Sequence, residues 1–223
     1  MHYIIANWKA HKTLEEALSW TDAFLSLLSK DQPLTEKLTK GELLIILTPP
    51  SPFAETLHEK VRGKTGIALG VQDISELDEG PYTGEVAARN LQGIAEYVIV
   101  GHSERRKLKG ETEESVSKKL ELCKKYDLSP ILCVTKKEQV HGGVSFIAYE
   151  PDDAIGTGNN TPVSDVLAFK NTLGLSEDTH FLYGGSVDKE DVAPYIKEPQ
   201  IEGLLVGGAS LDARNFYSLI KKI

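Results

Sequence analysis

A barrel of eight parallel strands alternating with helices, a (β/α)8 fold of the α/β class, is what this sequence predicts, on three observations. Short apolar runs alternate with amphipathic stretches from one end of the chain to the other. The runs are continuous rather than strictly alternating, the pattern of parallel strands buried on both faces. Spread over 223 residues, they give about 28 residues per unit, near the ~30 of a βα repeat. A doubly wound open sheet would alternate in the same way, but it places a Gly-rich phosphate fingerprint after its first strand. Here Asn7-Trp8-Lys9 stands at that point. A barrel of this length folds as one unit, so a single domain over residues 1–223 is expected.

The predicted strands are Tyr3–Trp8, Leu43–Thr48, Gly66–Val71, Tyr97–Gly101, Ser129–Val134, Val144–Tyr149, His180–Tyr183 and Gly203–Val206. Thr13-Leu-Glu-Glu16 reads as a capping box opening a helix with Leu14, Ala17, Leu18 and Thr21 at helical spacing. Val116, Leu120 and Cys123 form a stripe after the fourth strand. Thr161-Pro162 is expected to supply an N-cap and a first-turn proline before Val163, Val166, Leu167 and Leu173. Arg214 to Ile223 closes the chain, with Phe216, Leu219, Ile220 and Ile223 as its apolar set. The fifth unit is shortened: residues 135–143 leave too little chain for a helix and its loops.

Composition narrows the function. Apolar residues at 40% support a large core, and a net charge of -8 argues against nucleic acid, whose phosphates call for facing Lys and Arg. A phosphorylated metabolite would have to be held locally, by a lysine and by backbone N–H groups. Cys123 and Cys133 lack metal-type spacing and fit unpaired thiols in a reducing compartment. No stretch approaches ~18 apolar residues and the N-terminus lacks a signal pattern, so no membrane is expected and a cytoplasmic location is.

Strand ends carry the chemistry. In a barrel they are where catalytic groups sit, and the loops beyond them can close over substrate. The most informative segment is Phe146-Ile-Ala-Tyr-Glu150-Pro-Asp-Asp-Ala-Ile-Gly-Thr-Gly158, a strand that delivers a carboxylate and then enters a loop bounded by Pro and Gly. Alone it could be an ordinary surface loop; the other strand ends make Glu150 a candidate general base. Asn7 and Lys9 point the same way by alternation. His102, in Val100-Gly-His-Ser-Glu-Arg-Arg106, precedes a helical turn whose N–H dipoles would hold the imidazole neutral. Tyr183-Gly-Gly-Ser186 and Val206-Gly-Gly-Ala-Ser210 each expose backbone N–H groups after strands seven and eight, where barrels commonly bind phosphate.

Taken in order and spacing, Asn-x-Lys, Gly-His-Ser-Glu-Arg-Arg, Tyr-Glu-Pro with Ala-Ile-Gly-Thr-Gly, Tyr-Gly-Gly-Ser-Val and Val-Gly-Gly-Ala-Ser-Leu resemble the triose-phosphate isomerase family of TIM barrels. Gln72-Asp-Ile-Ser75 and Tyr82-Thr-Gly-Glu85 extend the resemblance nearly end to end. It implies interconversion of dihydroxyacetone phosphate and glyceraldehyde 3-phosphate through an enediolate, with no cofactor and no metal. Glu150 would be the base and His102 the neutral electrophile. Lys9 would stabilise the developing oxyanion, with Asn7 beside it. Gly156, Ser186, Gly207 and Gly208 match phosphate-binding positions. These roles are taken from the family, which is itself the usual illustration of such acid–base tuning and of lid closure. The resemblance also implies a homodimer or homotetramer. Thr83 would lie at the tip of an interface loop and Glu85 would pair with Arg105 across it.

Two departures stand out. The family's lid usually begins Pro-Val-Trp, and this chain has Pro151-Asp152-Asp153; after strand five the family has Cys-Val-Gly-Glu, and this chain has Cys133-Val-Thr-Lys136. Lys136 and Asp153 are expected to replace an aromatic contact with an ionic one, worth only ~0–1 kcal/mol if exposed. Two other functions share parts of the pattern. A pentose-phosphate epimerase or another sugar-phosphate isomerase would keep the phosphate loops without Asn7, Lys9, His102 and Glu150 together. A protein that only binds a phosphorylated metabolite would need no base.

Overall fold

The computed structural model describes residues 1–151 and 160–223. Eight parallel strands close on themselves in sequence order: β1 (His2–Asn7), β2 (Leu43–Thr48), β3 (Ile67–Val71), β4 (Tyr97–Val100), β5 (Ser129–Val134), β6 (Phe146–Tyr149), β7 (His180–Tyr183) and β8 (Gly203–Val206). Closure is made by β8 against β1, with Tyr3 opposite Gly203 and Ala6 opposite Val206. The predicted strands are all present. β6 begins two residues later than the apolar run suggested, although the Ser145 carbonyl already accepts from the His180 N–H of β7.

Helices cover the outside: α1 (Leu14–Leu28), α2 (Gln32–Thr39), α3 (Ala54–Val61), α4 (Ser103–Lys109), α5 (Glu113–Lys125), α6 (Val163–Leu173), α7 (Ala193–Ile196) and α8 (Ala213–Ile220). The Thr13 capping box forms as read, with Thr13 Oγ1 accepting from Glu16 N–H and Glu16 accepting in return. Leu14, expected in the apolar stripe of α1, is exposed; Ala17, Trp20, Thr21, Phe24 and Leu28 form the buried face. Thr161 does not cap α6, which lacks a side-chain cap. The fifth unit is indeed thin. Between β5 and β6 stands one 3-10 turn, Lys137–Gln139, pinned by Gln139 Oε1 accepting the N–H groups of Thr135 and Lys136.

Period-two alternation divides the core into two layers. Tyr3, Ile5, Ile46, Ala68, Ile99, Ile131, Cys133, Phe146, Ala148, Leu182 and Leu205 fill the barrel. Ile4, Ala6, Ile45, Leu47 and their counterparts face the helices. Four aromatics, Trp8, Trp20, Phe24 and Phe216, pack α1 against α8 with ring centroids 4.7–5.8 Å apart. Trp8 is thereby anchored between Asn7 and Lys9. At the N-terminal end Tyr3 meets Phe146 edge-on at 4.9 Å, and its hydroxyl shares a 3.1 Å hydrogen bond with His180. His180 is bonded in turn to Glu202 at 2.8 Å, which closes that end. Among the described residues, no helix is long and apolar enough to cross a membrane.

Candidate active site

The same alternation builds the site. Tyr3 and Ile5 point into the barrel, so Asn7 points into its C-terminal mouth; Phe146 and Ala148 do the same for Glu150. Gly184 follows Leu182 and Gly207 follows Leu205 in the same register. These positions, with Lys9, His102 and Ser186, line one cavity of about 260 Å³. Asn7, Lys9, His102, Glu150, Ser186, Gly207 and Gly208, read separately along the sequence, therefore share one pocket.

Glu150 is 2% exposed and His102 6%. Glu150 Oε1 lies 2.9 Å from His102 Nε2, and Oε2 accepts from Ser103 N–H at 2.9 Å. His102 caps α4, its Nδ1 accepting from Glu104 N–H at 3.2 Å. That contact places the proton of a neutral ring on Nε2, facing Glu150. Burial disfavours ionised Glu150, but His102 and the Ser103 N–H favour it and prevail, holding the carboxyl below its ordinary value. For His102, burial opposes the charged form while Glu150 favours it, and the net direction is upward. The N–H at Nδ1 resists a second proton. The upward pull therefore rests on Glu150 staying against the ring, and it falls away when the carboxylate turns elsewhere. Beneath the pair, the thiol of fully buried Cys133 is pushed up by burial and by the negative charge of Glu150.

Lys9 is held in the left-handed region, at φ 52°, a conformation that costs a non-glycine residue roughly 1–2 kcal/mol. The surroundings impose it. Gln72 Nε2 donates to the Lys9 carbonyl at 2.8 Å and to that of Thr48 at 2.9 Å, and Lys9 N–H donates to Asn7 Oδ1 at 3.0 Å. The ammonium is then aimed across the cavity to Glu104, 2.5 Å away. Ser186, at φ 44°, is the second strained wall residue. Lys12 and Asp127, outside the cavity, also have positive φ, at 74° and 55°, so the left-handed backbone is not confined to this pocket.

Two glycines stand close to side chains of the site. A Cβ at Gly207 would lie 3.2 Å from Lys9 Cε, and one at Gly184 would lie 3.1 Å from Glu150 Cγ. Gly208 faces open space and starts the 3-10 turn that leads to Ser210. The wall formed by Gly207 and Gly208 is thus bare backbone, with Val187, Leu205 and Ala209 as apolar neighbours.

Sequence reasoning missed Glu104, Gly184, Asp188 and Leu205 as site residues. The Glu of His-Ser-Glu was quoted only as part of a motif, and nothing local showed that it would reach Lys9. Gly156, Asp152 and Asp153 lie outside the described residues, as does the expected Lys136–Asp153 pair. Thr83 and Glu85 are exposed on the loop after β3, whereas Arg105 pairs within the chain, 2.7 Å from Asp73. Among the described residues, no group of His, Cys, Asp or Glu is arranged to hold a metal.

A base, an imidazole and an ammonium around a cavity walled by glycine backbone suit proton transfer beside the oxygen atoms of a small anion. The relatedness of the chain points the same way. The family model described as Triosephosphate isomerase matches residues 2–143 and 139–223. The Triosephosphate isomerase of Aquifex aeolicus (strain VF5) is 34% identical over 250 residues, covering 97% of each chain. That of Nostoc sp. (strain PCC 7120 / SAG 25.82 / UTEX 2576) is 34% identical over 242 residues with the same coverage. That of Coxiella burnetii (strain RSA 331 / Henzerling II) is 35% identical over 251 residues, covering 97% of this chain and 94% of the relative. Motif, barrel register and end-to-end similarity agree that the chain belongs to the triosephosphate isomerase family.

Proposed function

We propose that this chain interconverts dihydroxyacetone phosphate and D-glyceraldehyde 3-phosphate by moving a proton between adjacent carbons. One observation carries the reading: a buried, ionised Glu150 bonded to the Nε2 side of His102, in a cavity whose other walls are Lys9 and glycine backbone. Glu150 turns from His102 to the substrate and takes a proton from the hydroxymethyl carbon. The C–H electron pair forms the enediolate double bond, and the carbonyl oxygen takes up the negative charge. His102, neutral once Glu150 has left it, donates Nε2–H to that oxygen, and Lys9 supplies the cation. Asn7 helps hold this end. The proton then returns to the neighbouring carbon, while the hydroxyl proton of the first carbon's oxygen passes to the former carbonyl oxygen by way of His102 Nε2. The first oxygen becomes the carbonyl, so atoms and charge balance without a cofactor or metal. Backbone at Ser186, Gly207 and Gly208, with Gly156, receives the phosphate. Excluding water protects the enediolate from expelling phosphate.

Assembly as a homodimer or homotetramer, through the loop carrying Thr83 and Glu85 and the neighbouring Arg105, is part of the same reading. It is supported by exposed Tyr82 and Leu108 in these segments and by Asp78, which ties the loop to Lys125 and to the Tyr126 hydroxyl. A cytoplasmic location fits two buried, unpaired cysteines. The test is a coupled assay with glyceraldehyde 3-phosphate on the wild type, Glu150→Asp and Glu150→Gln. Turnover that falls in Asp and nearly vanishes in Gln supports the reading. A wild type that binds phosphate ligands without isomerising them refutes it in favour of a binding protein.

A further inference from the structure

After β8 the chain turns sharply, and several carbonyls of the turn are tied down. Gly207 accepts from the N–H and the hydroxyl of Ser210 at 2.9 and 2.7 Å, Gly208 from the Leu211 N–H at 3.1 Å, and Ala209 from Asn215 Nδ2 at 3.2 Å. These bonds are local to the turn and to α8. The carbonyl of Leu211 instead accepts from the Lys12 ammonium at 2.6 Å, across 199 positions of sequence. Lys12 belongs to the loop that carries Lys9. There the His11 N–H donates to the Trp8 carbonyl at 3.3 Å, and the Lys12 ammonium lies 5.3 Å from the centroid of the Trp8 ring.

The left-handed backbone of Lys12, at φ 74°, is one that glycine adopts without strain. The turn alone would therefore favour glycine, and what lysine adds is its side chain. A bond from an ammonium to a carbonyl is about twice as strong as one between neutral groups. This one joins two walls of the cavity, Lys9 on one side and Gly207 with Gly208 on the other. The walls are close: a Cβ at Gly207 would lie 3.2 Å from Lys9 Cε. Drift of the turn away from the Lys9 loop would widen the space between that ammonium and the glycine backbone. Lys12 itself is not among the residues that line the cavity.

We infer that Lys12 is a positioning residue for the isomerisation, its ammonium holding the turn after β8 against the Lys9 loop at the spacing a triose phosphate needs. The inference rests on the isomerase reading above, which assigns the backbone at Gly207 and Gly208 to phosphate. It goes beyond that reading by giving a role to a second lysine, one that acts through the turn and not on the substrate.

Lys12→Met keeps an unbranched apolar stem and deletes the donor. The experiment measures kcat and KM with glyceraldehyde 3-phosphate, the calorimetric Kd for inorganic phosphate, and the melting temperature. Loss of one hydrogen bond predicts that KM and the phosphate Kd both rise about 3- to 10-fold, with kcat changing by less than about 2-fold. Lys12 is also a cation near the path of an anion, so KM is compared at roughly 0.1 M and 1 M salt, where the screening length falls from about 10 Å to about 3 Å. A ratio of variant to wild-type KM that persists at high salt supports positioning. A ratio that collapses to one shows long-range attraction only and overturns the inference. A lower melting temperature with KM and phosphate Kd unchanged overturns it too, as does a fall in kcat alone. If Lys12→Met does not fold, Lys12→Gly, which accepts the left-handed backbone, must show the same rise in KM and Kd; unchanged values there refute the role. A wild type that binds phosphate without isomerising fails separately, at the parent reading, before any variant is compared.

Discussion

Alanine at Gly184 isolates how closely Glu150 must be seated. The added Cβ would lie 3.1 Å from Glu150 Cγ and 3.3 Å from the Tyr149 carbonyl oxygen. Ordinary carbon contact begins near 3.4 Å, so the glutamate side chain must give by a few tenths of an ångström. Both of its hydrogen bonds, to His102 and to Ser103 N–H, are 2.9 Å long and share that displacement. A misplacement of about 1 Å can cost ~100-fold in rate, so a few tenths of an ångström should lower kcat by roughly 2- to 10-fold. KM should hold within about threefold, because the crowding is at the base and not at the phosphate-side backbone. Stability should barely change: Gly184 does not use the left-handed region, and replacing glycine there gains about 0.4–1 kcal/mol from the unfolded chain. Steady-state kinetics and a thermal melt on the same preparation give the answer. An unchanged kcat, or a loss explained by a collapsed melting temperature, refutes the argument that Gly184 exists to make room for the base.

Three other outcomes follow from the described contacts. Lys9→Ala should lower kcat/KM by about 100-fold or more, as expected when a donor to a developing oxyanion is removed; a loss below tenfold would take Lys9 out of that role. The Cys123 thiol is pushed up to about 12 by burial, and Cys133 is raised too, so the native protein at pH 8 should resist a thiol reagent that labels both cysteines after denaturation. Rapid labelling of the native form would contradict that burial. The Glu150–His102 pair makes stability depend on pH. Glu150, depressed from 4.5, contributes fully above that value and loses its contribution as pH falls through the lower folded value. His102, raised from 6.5, contributes fully below that value and loses its contribution as pH rises through the higher folded one. The melting-temperature difference between wild type and Glu150→Gln should therefore peak between pH 4.5 and 6.5; a difference flat across pH 4–9 would show that the pair is not coupled.

The barrel was legible because its strands are buried on both faces. Val98, Val100, Leu132 and Val134 pack against helices while Ile99, Ile131 and Cys133 fill the interior, so the runs read as uninterrupted apolar segments. The strand ends that meet at the cavity were legible because His102, Glu150 and the Gly-Gly pairs stand beside chain punctuators. What local reading could not reach was set by distant partners. Thr161 has the chemistry of a cap, yet α6 starts one residue later than read, with Pro162 at its N-cap, and Tyr183 and Tyr195 take the backbone groups of Thr161. Glu104 looks like a first-turn acid on α4, which it is, but its carboxylate also receives Lys9 from the other side of the barrel mouth. Gly184 reads as half of a phosphate loop, and only the packed structure shows it clearing the base.

Among the described residues, Tyr3, Phe146, His180 and Glu202 plug the N-terminal end of the barrel, so the cavity is reached from the C-terminal mouth. Product must depart by the route the next substrate uses. The two triose phosphates therefore exclude one another from the doorway, and each should act as a simple competitive inhibitor of the other's conversion. Any change that narrows this passage slows traffic in both directions by the same factor. The ratio of the two sugars at equilibrium stays where solution chemistry puts it.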